Sequence, residues 1–342
     1  MLDNLQYINE HDPADTLGIA ERQYQQLLTE FNLNLEARQF HNVVLSGMGG
    51  SALSSLVAQC WLDLKIPFEV RRGYDVPAYL NENSLFIASS YSGNTEETVS
   101  ALNEAADTGA VIAVITSGGE LQKIAEEKGY PLALLPEVGQ PRYAVLESLK
   151  ALVSIFKSAG IIENDKVNQL VNTSDFLKKH SKDWQSVVPT DSNLAKQLAS
   201  EAAGKSVVIY AGPKLSAAAY KWKISFNENG KQVAWWNQYS EFNHNEFIGW
   251  TKQPPVKPYF VVNLLSDFES DRIKKRFEVS DRLLSGMRPD PFNVRPEGET
   301  LLEQLLYTIM LGDFVSLYTA ILSGINPEPV DLIEKFKLEL KK

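Results

Sequence analysis

The stretch from Leu85 to Thr98 reads Leu-Phe-Ile-Ala-Ser-Ser-Tyr-Ser-Gly-Asn-Thr-Glu-Glu-Thr, passing from an apolar run through hydroxyls and one glycine into a helical pattern. The apolar run has the length of a buried parallel strand, and the acids after Thr95 are typical of a helix start. Backbone N–H groups at a helix N-terminus favour an anion, and Gly93 permits its close approach. An ordinary helix cap would use one or two hydroxyls, whereas this loop has three that can surround a phosphate: Ser90, Ser92 and Thr95.

A second strand, glycine turn and helix precede this stretch, with Val43-Val44-Leu45 leading into Gly47-Met48-Gly49-Gly50-Ser51. Read alone, Gly47-x-Gly49-x-x-Ala52 fits a relaxed dinucleotide fingerprint, and Arg71-Arg72 after the next strand would suit a cofactor phosphate. This pattern leaves an NADP-dependent enzyme as an alternative. A dinucleotide site does not require the hydroxyl loop around Gly93, so a small phosphate-bearing ligand is favoured over a dinucleotide.

Further apolar runs alternate with helical stretches, at 110–115 and at 132–135, as in a doubly wound parallel sheet. The pattern restarts at Ser206-Val207-Val208-Ile209, which predicts a second, diverged copy of the domain. We therefore expect an α/β protein with two parallel-sheet domains, each an α/β/α sandwich, at residues 1–155 and 156–342. Ligands of such sheets bind outside the carboxyl ends of the strands.

Composition narrows the class of partner. The chain has 342 residues, a net charge of −10 and a single cysteine, Cys60. The negative charge argues against nucleic acid as the main partner, and one cysteine cannot form an intrachain disulfide. We find no uninterrupted apolar run of bilayer length and no signal-peptide pattern at the N-terminus, so we expect a cytoplasmic protein without a membrane partner.

The hydroxyl loop resembles the phosphate-binding loop of sugar isomerase (SIS) domains, through the pattern Ser90-x-Ser92-Gly93-x-Thr95-x-Glu97-Thr98. The turn at Gly50-Ser51 resembles the turn before the first helix of the same domains. The resemblance implies two SIS-type domains and a phosphorylated sugar as ligand. It assigns substrate phosphate binding to six residues: Gly49, Gly50, Ser51, Ser90, Ser92 and Thr95.

The order of four later motifs resembles the bifunctional phosphoglucose/phosphomannose isomerases of the SIS superfamily. These motifs are Pro141-Arg142, Asn227-Glu228-Asn229-Gly230-Lys231, Asn243-His244-Asn245-Glu246 and the segment from Asn326 to Lys337. The resemblance implies that Glu228 transfers the proton between C1 and C2, that Arg142 stabilises the enediolate, and that His244 assists ring opening from the neighbouring subunit of a homodimer. Lys337 matches best the lysine that reaches the sugar, with Lys335, Lys341 and Lys342 nearby.

The resemblance implies an isomerase that interconverts glucose 6-phosphate and mannose 6-phosphate with fructose 6-phosphate, using no cofactor and no metal. The absence of a His/Cys cluster at metal-ligand spacing agrees with that expectation. Two positions depart from the family pattern, because Gly230 stands where alanine is more usual and Lys221 where arginine is expected. A non-catalytic SIS sensor of sugar phosphates is the alternative that predicts binding without turnover.

Overall fold

The computed structural model describes residues 1–253, 256 and 258–340. The chain divides into two compact units, of which the first unit is Arg22–Lys178 and the second unit is Met1–Glu21 with Lys179–Lys342. Each unit contains one parallel sheet. The expected α/β class with two parallel-sheet domains is therefore confirmed, while the boundary at residue 155 stays a prediction.

The elements are numbered in chain order. The helices are α1 (Leu5–His11), α2 (Thr16–Arg22), α3 (Gly49–Trp61), α4 (Glu96–Ala106), α5 (Gly119–Lys128), α6 (Val145–Ser158), α7 (Asn164–Ser181), α8 (Leu194–Ala202), α9 (Ser216–Glu228), α10 (Glu246–Gly249), α11 (Asp271–Leu283), α12 (Leu301–Leu322) and α13 (Asp331–Leu340). The strands are β1 (Asn42–Gly47), β2 (Phe68–Arg71), β3 (Ser84–Ser89), β4 (Val111–Thr116), β5 (Leu132–Leu134), β6 (Ser206–Ala211), β7 (Ala234–Gln238), β8 (Tyr259–Leu264) and β9 (Phe292–Val294). Short 3-10 helices span Gln23–Leu28, Pro141–Tyr143, Lys182–Trp184, Thr190–Ser192, Pro213–Leu215, Glu241–His244 and Trp250–Lys252.

The sheet of the first unit has the order β2-β1-β3-β4-β5, with every pair parallel. The chain moves outward in one direction from β1 to β2 and in the other from β3 to β5, so the direction of winding reverses between β1 and β3. Gly47 and Ser89 are paired at the carboxyl ends of these two strands. The glycine turn after β1 and the hydroxyl loop after β3 therefore start side by side, at the point where doubly wound sheets bind ligands.

Continuous apolar strands explain why this sheet is interior. Val44, Phe86 and Val114 on three neighbouring strands are buried and pack with the apolar faces of α4 and α5. Parallel sheets covered by crossover helices have such strands, because both faces are removed from water. The buried sheet fixes the positions of the loops at its carboxyl edge.

The second unit repeats the plan with the parallel order β7-β6-β8-β9. Its central helix α12 begins with a capping box, in which Thr300 accepts from the Glu303 N–H and the Glu303 carboxylate accepts from the Thr300 N–H. Most of α12 is buried, and its Asp313 pairs with Lys221 of α9. The two helices of this ion pair are thereby fixed against each other.

Among the described residues, one helix is long and apolar enough to cross a membrane, namely α12. Its most apolar window is 94% buried inside the protein, which is the pattern of a core helix. The sequence analysis did not single out this helix, because Glu303 and Asp313 interrupt its apolar residues.

Candidate active site

In the hydroxyl loop of the first unit, two of the three hydroxyls contact each other, and the N-cap hydroxyl does not cap the helix. Thr95 is the N-cap residue of α4, but its side chain makes no capping bond. Its Oγ1 lies 2.8 Å from Oγ of Ser90 instead. Ser92 is exposed, and its Oγ accepts from the Asn94 N–H at 3.3 Å. The loop therefore combines a helix N-terminus with three hydroxyls, two of them in contact, and this combination suits a phosphate.

Gly93 is required by the loop that packs behind it. Its φ is +67°, and a Cβ atom at this position would collide with the backbone oxygen of Gly118. The Gly93 carbonyl accepts from the Leu121 N–H at 3.0 Å, in the first turn of α5. A side chain at Gly93 would displace the hydroxyl loop from its contact with Gly118 and the first turn of α5.

The glycine turn after β1 contacts both the hydroxyl loop and the segment that carries Arg142. Ser51 Oγ accepts from the Tyr91 N–H at 3.0 Å. A Cβ atom on Gly50 would lie 3.1 Å from the carbonyl oxygen of Pro141, so the two chains approach closely. Gly49 begins α3 with a φ of +49° and is exposed. The first unit therefore brings its predicted site residues together.

Arg142 is held by its neighbours before any ligand binds. Its side chain is 1% exposed, and its guanidinium carbon lies 4.7 Å from the centre of the Tyr143 ring. The Gln26 amide donates to the Tyr143 carbonyl at 2.7 Å and accepts from the Glu147 N–H at 3.1 Å. These bonds fix the short turn on which Arg142 lies.

Sequence reasoning missed two residues that support this site. Tyr91 occupies an unspecified position in the phosphate motif, yet its hydroxyl accepts from the Val138 N–H at 2.7 Å and so ties the loop to the segment before Arg142. Gln26 lies in a region where the sequence analysis assigned no role in the chemistry. Tyr91 had a detectable signal, since an aromatic residue between two serines is unusual in a solvated loop.

Glu228 is the last residue of α9, and it lines a cavity of about 970 Å³. The cavity lies within the second unit, and the first residues of α13 and Trp235 of β7 form part of its wall. The carboxylate is half-buried. Glu228 is thus accessible to a molecule of sugar size from a partly apolar recess.

The residues around Glu228 in its motif hold the end of α9. The Lys231 Nζ donates to the carbonyls of Glu228 at 2.6 Å and Pro327 at 2.8 Å. The Asn229 amide donates to Ser316 Oγ at 2.9 Å, inside the protein. The motif therefore has a structural reason for its lysine and asparagine, because both restrict where Glu228 can lie.

The two departures from the family pattern have local explanations. A Cβ atom on Gly230 would lie 2.8 Å from the Phe226 carbonyl oxygen, so this backbone has no room for alanine. Lys221 is buried and donates to Asp313, and its Nζ also lies 2.7 Å from Ser225 Oγ. A lysine at position 221 thus completes an ion pair between α9 and α12.

His244 lies away from Glu228 within the second unit. Helix α9 starts after the carboxyl end of β6 and ends before the amino end of β7, so Glu228 lies at the amino edge of the sheet. His244 ends the 3-10 turn that follows the carboxyl end of β7. The five residues of β7 alone separate the two edges by about 16 Å. One copy of this unit therefore does not bring Glu228 and His244 together.

Asn243 and Asn245 flank His244, but their side chains bind residues other than His244. Asn243 binds Ser280 and Arg276, while the Asn245 side chain accepts from the Glu246 N–H. These bonds fix the backbone of the turn. His244 is exposed, and its ring has no hydrogen bond to another described residue.

Lys337 lies on α13, whose residues are all exposed. Its Nζ pairs with the Glu334 carboxylate at 2.8 Å. The helix is amphipathic in sequence, with Leu332 and Phe336 on one side, both more than half exposed. Of the other terminal lysines considered, Lys335 is exposed on the same helix, whereas Lys341 and Lys342 lie outside the described residues.

Arg71, one of the two arginines that the dinucleotide alternative uses, is already paired. Arg71 lies 3.3 Å from the Glu69 carboxylate and 2.8 Å from that of Asp75. In residues 1–253, 256 and 258–340, no group of three His, Cys, Asp or Glu side chains is arranged to hold a metal. Independence from metals remains a prediction for solution experiments.

Comparison with known proteins agrees with the two-unit plan. The SIS domain family matches residues 37–156, and the family "Bacterial phospho-glucose isomerase C-terminal SIS domain" matches residues 191–340. The fold is similar to that of a glucose-6-phosphate isomerase like protein from Thermus thermophilus, with a TM-score of 0.67, 17% identity, and 97% of this chain and 99% of that chain covered.

Two curated relatives have similar sequences. A bifunctional phosphoglucose/phosphomannose isomerase of Caldicellulosiruptor bescii is 35% identical over 90% of this chain and 92% of its own length. A D-glucosamine-6-phosphate 4-epimerase of Sulfolobus acidocaldarius is 35% identical over 60% of this chain and 63% of its own length. The isomerase similarity extends over nine tenths of this chain, so the chain belongs to the family of bifunctional phosphoglucose/phosphomannose isomerases.

Proposed function

We propose that this protein interconverts glucose 6-phosphate and mannose 6-phosphate with fructose 6-phosphate. The observation that carries the proposal is the convergence of the hydroxyl loop, the Gly49–Ser51 turn and Arg142 at one edge of the first sheet. The names of the full-length relatives supply the substrate class. The loop hydroxyls and the N-terminus of α4 bind the substrate phosphate.

The reaction proceeds through an enediol. Ring opening breaks the bond between the anomeric carbon and the ring oxygen, while the anomeric hydroxyl loses a proton and the ring oxygen gains one; His244 mediates this transfer. Glu228 then removes the proton from C2 of the aldose and returns it to C1, while a proton moves between O1 and O2. Arg142 stabilises the negative charge that develops on the enediolate oxygen. Lys337 contacts the sugar.

A homodimer supplies the histidine. Glu228 and His244 lie at opposite edges of one sheet, which supports a site that uses His244 of the partner subunit. The exposure of His244 in the single chain supports the same arrangement. Symmetric dimers form two equivalent sites in this way.

A coupled assay with each hexose 6-phosphate tests the substrate proposal. Fructose 6-phosphate formation from both aldoses, undiminished by a chelator, is the expected result. D-Glucosamine 6-phosphate is included because one relative is named as its 4-epimerase. Binding of the hexose phosphates without turnover would favour a sensor, and turnover of the amino sugar alone would favour the epimerase.

A further inference from the structure

The turn that carries His244 is attached to the sheet through one carboxylate, that of Glu246. One of its oxygens accepts from the Tyr210 hydroxyl on β6, and the other accepts from the Asn237 amide on β7 at 2.7 Å. Both oxygens are therefore bound to rigid strands. Glu246 lies two residues after His244 and is the first residue of α10.

Tyr210 extends this attachment to the far end of the same segment. Its hydroxyl accepts from Trp250 Nε1 at 2.9 Å, so one phenol links Glu246 to the end of α10. Tyr210 is fully buried, and burial together with the nearby Glu246 charge raises the pKa of Tyr210. The phenol therefore keeps the proton that it donates to Glu246.

A buried arginine supports the aromatic residues of this segment. Arg288 is 3% exposed, and its guanidinium carbon lies 5.3 Å from the ring centre of Tyr210 and 5.9 Å from those of Phe242 and Trp250. Its Nη2 donates to the Asp281 carboxylate at 2.7 Å. Phe242 and Trp250 flank the turn in sequence, so the segment folds over a fixed cation.

The other side of His244 is also attached. The Asn243 amide donates to Ser280 Oγ at 2.8 Å and its oxygen accepts from Arg276 at 3.0 Å, both partners lying on α11. His244 is therefore an exposed ring between two anchored neighbours. Such an arrangement limits the backbone of the turn while leaving the ring open to a ligand.

We propose that Glu246 is a positioning residue that fixes the His244 turn for ring opening. The inference rests on the ring-opening role proposed for His244. It also explains the fourth residue of the Asn-His-Asn-Glu motif without giving it a proton to transfer, since both of its oxygens already accept hydrogen bonds inside the protein. Glu246 acts on the reaction only through the position of the imidazole.

A double-mutant cycle tests this inference with fructose 6-phosphate. In the otherwise unchanged protein, Glu246→Gln should lower kcat about 10- to 100-fold with KM unchanged, because a misplaced catalytic group costs up to that factor. In the His244→Ala protein, residual turnover uses the open-chain sugar that forms without the enzyme. There, adding Glu246→Gln should change kcat by less than about twofold, because it has no imidazole left to position.

Two further variants control for a general loss of folding or stability. Tyr210→Phe removes one partner of Glu246 and should give a smaller loss with the same dependence on His244. Glu269→Gln changes another buried carboxylate of the second unit and should show no dependence on His244. If Glu246→Gln folds poorly, Tyr210→Phe is assayed in both backgrounds in its place.

The outcomes separate this inference from the proposed function. Equal losses from Glu246→Gln in both backgrounds, or full activity of Glu246→Gln alone, would overturn the positioning role. Full activity of His244→Ala would instead overturn the ring-opening role on which the inference rests. A loss confined to the background that contains His244 supports both.

Discussion

The two parallel sheets of this protein differ in the residues that occupy one equivalent position, the point where the winding of each sheet reverses. Each sheet reverses its winding next to its first strand, between β1 and β3 in the first unit and between β6 and β8 in the second. In the first unit, the loops at this position contain glycines and hydroxyls. In the second unit, the corresponding position is occupied by a carboxylate of the protein itself.

Glu269 occupies the second position. It lies in the loop after β8, and its carboxylate accepts from the Lys214 N–H at 2.6 Å, in the turn that follows β6. The next residue, Ser270, caps α11 by accepting from the Ile273 N–H. Thr95 is the counterpart of Ser270 at the start of α4, and its hydroxyl makes no capping bond.

The difference teaches that the fold provides a location and the loop chemistry decides its use. A carboxylate already satisfies backbone donors in the second unit, and its negative charge would repel a phosphate. The first unit leaves its helix N-terminus and its hydroxyls for a ligand. The second unit carries its predicted chemistry elsewhere, at the end of α9 and after β7, which is typical of folds that host different sites.

The largest expected effect is on kcat, and it distinguishes proton transfer by the second unit from phosphate binding by the first unit. Glu228→Gln keeps the size of the side chain but removes the base, so kcat should fall about 10²- to 10⁴-fold while substrate binding survives. In deuterated water, wild-type enzyme should return aldose labelled at C2 from fructose 6-phosphate, and the variant should label it far more slowly.

The matched control for Glu228→Gln is Glu201→Gln, which changes an exposed carboxylate on α8 of the same unit. It should label the aldose at close to the wild-type rate. Undiminished labelling by Glu228→Gln would move the base elsewhere. A slow variant that also fails to bind substrate would indicate a structural role at the end of α9.

The next effect tests whether Glu228 and His244, the two proposed catalytic groups of the second unit, come from different chains. Mixing Glu228→Gln chains with His244→Ala chains, each of low activity alone, should create one intact site per heterodimer, and so restore about a quarter of wild-type turnover at equal amounts. Mixing either variant with itself is the control. No recovery in verified heterodimers would mean that both groups act within one chain.

A smaller effect compares the two helix starts directly. Ser92→Ala or Thr95→Val should weaken substrate binding by roughly 1.5–3 kcal/mol and raise KM accordingly, because each removes a hydrogen bond to a charged group. The matched change Ser270→Ala should lower stability by about 1 kcal/mol through loss of a cap, with KM unchanged. KM values equal to that of the wild-type protein in all three variants would mean that the substrate phosphate binds elsewhere.

The strands of the first unit and the repeat in the second were predictable because both follow local patterns. Buried parallel strands are continuous apolar runs, and Val43–Leu45 and Val207–Ile209 repeat that signal at the start of each sheet. The position of the hydroxyl loop between β3 and α4 was predictable for the same reason, since it follows an apolar run and precedes a helix start, while its binding of a phosphate stays a prediction. Such features need no knowledge of distant contacts.

The supports of the site were not predictable, because they join residues far apart in sequence. Gln26 meets Tyr143 and Glu147, and Lys231 meets Pro327, only after folding. The opposite positions of Glu228 and His244 also depend on where α9 ends relative to β7. Motif spacing carries no information about which edge of a sheet a residue reaches.

The smallest expected effect concerns the carboxylate of Glu269, at the position where the second sheet reverses its winding. Glu269 is buried, and this burial raises the pKa of its carboxyl above the ordinary 4.5, although the Lys214 N–H partly opposes the shift. The folded protein therefore binds this proton more tightly than the unfolded chain. As pH rises from the ordinary range through the raised pKa, the wild-type protein should lose stability that Glu269→Gln does not lose.

Urea unfolding at pH values from 4 to 8 measures this difference, and a second carboxylate supplies a control of opposite sign. The Lys275 side chain binds the exposed carboxylate of Glu278 on α11 and lowers the pKa of Glu278. Its stabilisation is present above the ordinary carboxyl range and is lost as pH falls, so Glu278→Gln should become less stable relative to wild type as pH rises. Glu269→Gln should become more stable relative to wild type over the same range. If Glu269→Gln also became less stable relative to wild type as pH rises, the charged form of Glu269 would be stabilised by its surroundings. The position where the second sheet reverses its winding would then favour an anion, as proposed for the first sheet.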